Sequence, residues 1–251
     1  MNQIMDGKVV LVIGGAGSIG AASARRFAEL GARIAISHRD IPEEAAAAAK
    51  LVLSLPGEGH VGLVADVAQT NTLKALRAEI ERRFARLDVL VNAAGFTKPV
   101  PHADLDALDD DLIDMMFAVN WRGQFAAVRT FAPLLKASGN GLIVSISSIA
   151  GTNGIGSSIA YCAAKAGIDV MTKSLARVLA PEVRVLAIAP GVVDTSFVPG
   201  RGTDFNEKTA ATTPLKRIAT AEDIASAILA CATQLGFATG TTIVVDGGRS
   251  L

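Results

Sequence analysis

Three residues in this sequence have side chains and a spacing suited to proton transfer: Ser148, Tyr161 and Lys165. Tyr161 and Lys165 stand four residues apart on a predicted helix, so their side chains share one face. A free phenol titrates near pH ~10, and an ammonium one turn away favours the phenolate and lowers that pKa. Ser148 directly follows a predicted strand, at the sheet edge where α/β proteins bind ligands, so its hydroxyl could hydrogen-bond a substrate oxygen.

The same three residues also have a purely structural interpretation. Tyr161 would pack, Lys165 would extend its ammonium to solvent, and Ser148 would cap a turn. An isolated Tyr-x-x-x-Lys does not by itself decide between the two interpretations.

A glycine-rich turn, Gly14-Gly15-Ala16-Gly17-Ser18-Ile19-Gly20, follows the first predicted strand and leads into a helix. Such a turn lets a pyrophosphate approach backbone N–H groups at a helix N-terminus, and Asp66-Val67 after the third strand could then hold an adenine. Tight turns need glycine for backbone reasons alone, so this turn leaves nucleotide binding open. No Gly-Lys-Ser/Thr follows the glycines, which excludes a P-loop.

Strands and helices that alternate along the chain must position these residues. We predict seven strands, over Val9–Ile13, Arg33–Ser37, Val61–Ala65, Val89–Val91, Leu142–Ile146, Val183–Ala189 and Thr242–Val245. Their near-continuous apolar character is typical of a parallel sheet buried on both faces. Amphipathic helices are predicted over Ser18–Leu30, Thr70–Phe84 and Ala221–Ala232. The pattern predicts an α/β fold, a doubly wound Rossmann-type three-layer sandwich with a seven-stranded parallel sheet, as one domain over residues 1–251.

Composition excludes several other classes of protein. The 24 Lys and Arg balance 24 Asp and Glu, so the chain has no excess charge with which to hold nucleic acid or anionic lipid. No apolar run reaches the roughly 18 residues of a membrane span, and the start lacks an export signal, which predicts a soluble cytoplasmic protein. Cys162 and Cys231 stand far apart with no Cys/His cluster, which fits a reducing compartment and predicts no metal site.

Further motifs occur in a fixed order along the chain. They are Gly14 to Gly20, Asn92-Ala93-Ala94-Gly95, Asn120, Ser148, Tyr161-x-x-x-Lys165, Pro190-Gly191 and Val244-Val245-Asp246-Gly247-Gly248. With these motifs the sequence resembles the short, single-domain branch of the short-chain dehydrogenase/reductase family, over essentially the whole chain from Lys8 to Leu251.

The resemblance implies a role for each matching residue. Tyr161 would be the general acid/base, Ser148 would orient and polarise the carbonyl, Lys165 would bind ribose and lower the tyrosine pKa, and Asn120 would hold a water in a proton relay. The cofactor-binding positions it implies are Gly14, Gly17, Ser18, Ile19, Gly20, Ser37, His38, Arg39, Asp66, Val67, Asn92, Ala93, Ala94, Gly95, Tyr161, Lys165, Pro190, Gly191, Val193 and Thr195.

Together these residues predict an NAD(P)(H)-dependent oxidoreductase of the carbonyl reductase or alcohol dehydrogenase type, acting on a small-molecule carbonyl or secondary alcohol. The family also implies a homotetramer or homodimer, and helical segments at 109–136 and 161–179 are expected to form one interface. Residues 194–214, which contain Gly and Pro and lack periodicity, are expected to form a long substrate-binding lid loop. Phe96, Ile155, Phe197, Val198 and Phe205 are available to line an apolar pocket.

The sequence departs from the family pattern in the glycine turn and around the sixth predicted strand. Ile13 stands where the family has Thr, and Ser18 replaces the middle Gly while Gly17 comes one place early, so the glycine spacing resembles that of the epimerase and dehydratase branch. Leu186 stands where Asn is frequent, and the preceding 180–183 loop is short. Epimerase or dehydratase chemistry, which the glycine spacing alone suggests, remains an alternative. A dinucleotide-binding regulatory or scaffolding protein without catalysis is a second alternative, from a different class.

The cofactor prediction depends on Ser37-His38-Arg39, at the end of the second predicted strand. Family members that use NAD(H) carry an acidic residue at the position of His38, and this chain has none there. Arg39 matches a position where a guanidinium binds the 2′-phosphate. The sequence therefore favours NADP(H), with NAD(H) possible. The alternative is that Arg39 is a solvated loop arginine.

Overall fold

The computed structural model describes residues 4–200 and 203–251, and for Thr203 it describes the backbone alone. Seven strands form one parallel sheet in the order β3-β2-β1-β4-β5-β6-β7. The strands are β1 Val9–Ile13, β2 Arg33–His38, β3 Val61–Val64, β4 Val89–Asn92, β5 Gly141–Ile146, β6 Val183–Pro190 and β7 Thr241–Val245. This sheet confirms the predicted Rossmann-type α/β fold.

Helices connect the strands and cover both faces of the sheet. They are α1 Ser18–Glu29, α2 Pro42–Ser54, α3 Thr70–Phe84, α4 Asp110–Phe117, α5 Gly123–Ala137, α6 Ala150–Asn153, α7 Ile159–Leu179, α8 Thr203–Thr212 and α9 Ala221–Thr233. Within the described parts of the chain, none of these helices is both long and apolar enough to span a lipid bilayer.

Strand β1 shows why the predicted strands are almost wholly apolar. Val9, Leu11 and Ile13 pack into a core with α3, α5 and α7, whereas Val10 and Val12 pack into a second core with α1, α2 and α9. Because successive side chains of a strand point to opposite faces, a strand covered on both sides needs apolar residues at every position.

The edge strands β3 and β7 are less buried than the central ones. Alternate residues of β3 are exposed, and no residue of β7 is fully buried. Each edge strand has only one neighbour in the sheet.

The chain reverses direction across the sheet between β1 and β4. Strands β1 to β3 extend to one side and β4 to β7 to the other, so the carboxyl ends of β1 and β4 lie side by side, with Ile13 paired to Asn92. In doubly wound folds such a reversal opens a crevice in which ligands bind. The glycine turn and the 92–95 motif follow these two strands directly.

The helical segment predicted at 109–136 is interrupted. A π-helical turn over Ala118–Arg122 separates α4 from α5 and is closed by a hydrogen bond from the Gly123 N–H to the Ala118 carbonyl. Such turns often occur at functional positions, and this one carries Asn120.

The prediction of an irregular loop over 194–214 is wrong for α8, which occupies Thr203–Thr212. The residue pattern did not predict this helix, because its residues are mostly polar or small and form no apolar stripe. Good helix formers (Glu207, Lys208, Ala210 and Ala211) nevertheless lie between Pro199-Gly200 and Pro214. Residues 201 and 202 of the predicted segment lie outside the described residues.

Candidate active site

A cleft of about 1810 Å3 opens at the carboxyl ends of the strands. Its walls come from the glycine turn, the ends of β2 to β5, the first turns of α7 and the segment after β6. It therefore lies where the topology of the sheet places a ligand site.

The glycine turn and the 92–95 motif are packed so closely that side chains do not fit between them. Gly14 has a φ of +75°, and a Cβ there would lie 2.7 Å from the Ala94 Cα. A Cβ on Gly20 would lie 2.3 Å from the Gly14 carbonyl oxygen. The Gly14 N–H donates to the Ser37 Oγ at 3.2 Å, which ties this turn to the end of β2. These glycines bring bare backbone to the cleft surface.

The N-terminus of α1 faces this part of the cleft. Among the residues that the structure describes, no side chain caps the helix, and Gly17, Ser18, Ile19 and Gly20 all line the cleft. An uncapped helix N-terminus presents backbone N–H groups and the positive end of the helix dipole. Together with the glycine cradle, this end of the cleft fits the pyrophosphate of a dinucleotide.

The cleft extends past the end of β2 to Ser37, His38 and Arg39, and past the end of β3 to Asp66 and Val67. His38 is buried and its Nδ1 donates to the Arg39 carbonyl oxygen at 2.8 Å. The Asp66 Oδ1 accepts from the Ala68 N–H at 2.8 Å.

Arg39 is paired with Glu44 in the first turn of α2. The Arg39 Nε donates to Glu44 Oε1 at 2.9 Å, Nη2 donates to the same oxygen, and the Arg39 backbone N–H donates to Oε2 at 2.8 Å. Burial raises the pKa of Glu44, but the hydrogen bonds from Arg39 outweigh burial and hold that pKa below its ordinary value. Both residues line the cleft.

Tyr161 and Lys165 lie on the first two turns of α7. Ser158 caps this helix by accepting the Tyr161 N–H at 3.1 Å. Tyr161 is half-buried, whereas Lys165 is 3% exposed, and its Nζ lies 5.5 Å from the centroid of the Tyr161 ring. The Lys165 Nζ also donates to the Ile146 carbonyl oxygen at 2.7 Å. Burial lowers the pKa of Lys165 to about 8, so the side chain remains mostly charged at neutral pH.

Ser148 lies just beyond β5, half-buried, in the wall that also carries Tyr161. Its Oγ accepts the Ala150 N–H at 3.2 Å. Because the oxygen accepts in this bond, the hydroxyl hydrogen can be donated to a ligand in the cleft.

Two residues assigned from the sequence to this site do not line the cleft. Asn120 is fully buried, its Nδ2 donates to the carbonyls of Phe96 and Met116, and its Oδ1 accepts the Phe96 N–H. Asn92 is buried beneath the cleft floor, and its Nδ2 donates to the Ser145 Oγ at 3.3 Å. Both side chains hold backbone and sheet residues around the cleft.

The segment after β6 forms the remaining wall, where Pro190, Gly191, Val193 and Thr195 line the cleft. The Gly191 N–H donates to the Val245 carbonyl at 3.0 Å, and a Cβ on Gly191 would lie 2.9 Å from the Asp246 Cβ. The 244–248 motif therefore packs directly against this wall.

The part of the cleft beyond Tyr161 combines apolar side chains with the charged Asp204, Lys208 and Arg249. It is lined by all five residues that the sequence offered for a pocket: Phe96, Ile155, Phe197, Val198 and Phe205. The Phe197 ring centroid lies 6.2 Å from that of Tyr161, with the planes tilted by 52°.

Comparison with known proteins identifies the family. The family model described as enoyl-(acyl carrier protein) reductase matches residues 14–250, and its members are short-chain dehydrogenases/reductases. The chain belongs to the short-chain dehydrogenase/reductase family.

Relatives within this family act on different molecules, according to their names. The chain is 36% identical over 252 residues to a cis-4-hydroxycyclohexanecarboxylate dehydrogenase of Sinomonas cyclohexanicum, covering 99% of this chain and 98% of the relative. It is 33% identical over 246 residues to a 3-oxoacyl-acyl-carrier-protein reductase of Thermotoga maritima, covering 97% and 98%.

A solved structure of the family has the same fold. A short-chain type dehydrogenase/reductase from Mycobacterium ulcerans superposes with a TM-score of 0.89 at 26% identity, covering 98% of this chain and 90% of that one. Membership of the short-chain dehydrogenase/reductase family implies a nicotinamide dinucleotide cofactor.

Sequence reasoning about this short-chain dehydrogenase/reductase missed several residues that line the cleft. Met115, Asn153 and Glu44 are among them. The available signal for Glu44 was its position in a helix that begins three residues after Arg39. Acidic residues in a first helical turn are, however, common for helix stability alone.

Proposed function

We propose that this chain is an NAD(P)(H)-dependent oxidoreductase that transfers a hydride between a nicotinamide and a carbonyl or secondary alcohol carbon. One observation carries the proposal. The Tyr161 ring lies 5.5 Å from the buried ammonium of Lys165, in the wall of a cleft that also contains the uncapped, glycine-lined N-terminus of α1.

A nicotinamide dinucleotide held in this cleft would supply the hydride chemistry, and the chain's own residues orient the substrate and move its proton. In the reducing direction, Ser148 donates a hydrogen bond to the carbonyl oxygen, which aligns and polarises the carbonyl. Tyr161 delivers the proton to that oxygen as general acid, and in the oxidising direction it accepts the proton as general base.

Lys165 supports the proton transfer electrostatically. A positive charge held close to the Tyr161 ring in a buried setting favours the phenolate form. The hydrogen bond to the Ile146 carbonyl fixes the ammonium at the base of the cleft. Asn120 positions Phe96 through two hydrogen bonds and holds the Met116 carbonyl through a third, and a water in the proton relay remains its predicted further role.

We assign each part of the dinucleotide to a different part of the cleft. The glycine turn and Ser18 to Gly20 bind the pyrophosphate, Asp66 and Val67 border the adenine, and residues 190–195 hold the nicotinamide carboxamide. Arg39 supports NADP(H) as the favoured cofactor, because a guanidinium suits a 2′-phosphate. Residues 194–214, including α8, act as the lid over the substrate.

The substrate is a small molecule with an apolar body next to its carbonyl or carbinol carbon. The aromatic side chains beyond Tyr161 favour such a body, and the relatives that act on 3-oxoacyl and hydroxycyclohexane groups agree with it. The carbonyl reductase or alcohol dehydrogenase type is therefore the proposed subclass.

We further propose a cytoplasmic homotetramer with one interface on α4 and α7. These helices expose large apolar side chains that a solvent-facing surface would normally lack: Phe117, Ile159, Val170 and Val178. Both cysteines are buried and free, as a reducing compartment allows.

A substrate panel tests the proposed reaction. Ketones, diketones, cyclic alcohols and sugars are each supplied with NAD(H) or NADP(H), and the nicotinamide absorbance is followed. We expect turnover on at least one cyclic or medium-chain carbonyl or alcohol and weak turnover on polar sugars. Tight dinucleotide binding without turnover on any compound would contradict the proposed activity and favour a regulatory role.

A further inference from the structure

The end of the cleft beside β2 and β3 has an unusual charge balance for a site expected to bind a 2′-phosphate. Among the described residues that line it, Arg39 is the one cation, whereas Glu43, Glu44 and Asp66 carry carboxylates. The negative charge of Asp66 also acts on Arg39. A phosphate entering here meets one guanidinium and three carboxylates.

The guanidinium itself is already engaged. Its Nε and Nη2 both donate to Glu44 Oε1, so one of the two edges through which a guanidinium can hold an anion at two points is occupied. The backbone N–H of Arg39 holds the other carboxylate oxygen, which fixes Glu44 in place from two sides. The side chain of Glu44 is 30% exposed and that of Arg39 is 58% exposed, so both face the cleft and its solvent.

We propose that Glu44 is a specificity-determining residue that competes with a 2′-phosphate for Arg39 and thereby weakens the preference for NADP(H) over NAD(H). A cofactor with free ribose hydroxyls leaves the Arg39–Glu44 pair intact. A 2′-phosphate has to displace Glu44 from Arg39 or bind beside a like charge, and both reduce affinity. The inference rests on the proposed function, because it concerns the cofactor of that reaction.

His38 does not compete with a 2′-phosphate for the Arg39 guanidinium as Glu44 does. Its Nδ1 hydrogen is directed to the Arg39 carbonyl, so the ring is turned along the backbone. Glu44 is thus the acidic group that the chain brings to Arg39, although it comes from α2 rather than from the end of β2.

The test measures binding rather than turnover. Isothermal titration calorimetry at fixed ionic strength gives the Kd of four probes: NADP+, NAD+, adenosine 2′,5′-bisphosphate and AMP. The variants are Glu44→Gln and the matched control Glu43→Gln. The amide of Glu44→Gln can still accept the Arg39 N–H while it removes the charge. Glu43→Gln removes the same charge one residue away, from a side chain that is not paired with Arg39.

We expect Glu44→Gln to tighten NADP+ and adenosine 2′,5′-bisphosphate about tenfold, with NAD+ and AMP changed less than threefold. Glu43→Gln should change all four Kd values less than threefold. In an Arg39→Ala background, the selective gain from Glu44→Gln should fall below threefold, because there is no guanidinium to release and only the repulsion between like charges remains.

Three results would overturn the inference: equal tightening of phosphorylated and unphosphorylated probes, an equal effect of Glu43→Gln, or a selective gain that persists without Arg39. If the wild type binds none of the four probes, the proposed function fails together with the inference. If the probes bind but Glu44→Gln shows no selectivity, the inference alone fails.

Discussion

The ring and the backbone of Tyr161 make packing contacts that do not involve its hydroxyl group. The half-buried ring lies against Phe197 and near Lys165, and its backbone N–H is bonded to Ser158. Removal of the hydroxyl alone therefore leaves these ring and backbone contacts in place.

We expect Tyr161→Phe to lower kcat by about 10²–10⁴-fold, the range for loss of a general acid/base. Dinucleotide Kd and the midpoint of thermal unfolding should stay close to the wild-type values. Steady-state kinetics on an active substrate, with calorimetric binding as the control, measures the effect. A folded variant with near-normal kcat would remove Tyr161 from the proton-transfer step.

The buried ammonium of Lys165 should make stability depend on pH. Burial lowers its pKa from 10.5 to about 8 in the folded chain, so between these values the unfolded chain holds a proton that the folded chain has lost. When the unfolded state binds more protons, the free energy of unfolding rises with pH. The negative charge of Asp169 acts in the opposite direction but is the smaller effect.

Lys165→Met should therefore be more stable than the parent at pH 7.5, and its advantage should shrink by about 2 kcal/mol as the pH rises to 10. Urea unfolding at both pH values measures this change. Both proteins carry Tyr161→Phe, so that the neighbouring phenol does not titrate in the same range. A stability difference that is independent of pH would contradict the expectation.

At the scale of elements, the 194–214 segment differs most from the regular βα units. The Asn206 Nδ2 in α8 donates to Asp194 Oδ1 at 2.8 Å, and the Asp194 N–H donates to the Ala219 carbonyl. Phe205 and Phe197 face the cleft from this segment. Few large apolar groups anchor α8, which favours local opening.

We expect backbone amides of 203–214 to exchange rapidly in the free protein and about tenfold more slowly with NADP+ and a slow substrate bound. The peptide covering α3 lies outside the cleft and provides the internal control. Hydrogen exchange followed by mass spectrometry makes the comparison. Exchange that is already as slow as in α3, and unchanged on binding, would argue against a lid.

The whole molecule exposes apolar side chains unevenly. Val170 is 63% and Val178 is 67% exposed, both on α7, and Phe117 is 36% exposed on the adjacent α4. Leu53 on α2 is 87% exposed but belongs to a different surface. These exposures make α4 and α7 the expected site of an interface between copies of the chain.

Light scattering should give four times the 25.8 kDa mass of one chain. Val170→Asp should reduce that mass to a dimer or monomer, because a charge would be buried in the interface. Leu53→Asp introduces the same charge outside it and should leave the mass unchanged. A wild-type mass near 25.8 kDa at working concentration would contradict the assembly.

The sequence by itself determined the sheet, most of its helices and the shared face of Tyr161 and Lys165. These features depend on local patterns: apolar runs for strands covered on both sides, and a four-residue spacing that brings side chains together on any helix. The bounds of α3 agree with the prediction at both ends. The order of the motifs along the chain also indicated the family.

Only the tertiary structure decided which partners the polar side chains take. From the sequence, Arg39 could be a phosphate ligand or a solvated arginine. In the structure α2 packs beside β2, and Arg39 forms an ion pair with Glu44 of α2. Asn120 lies in a π-helical turn and is hydrogen-bonded to Phe96, which stands twenty-four residues away in the chain. A hydrogen bond between distant segments depends on how the helices and strands pack. The residue pattern within one segment does not determine that packing.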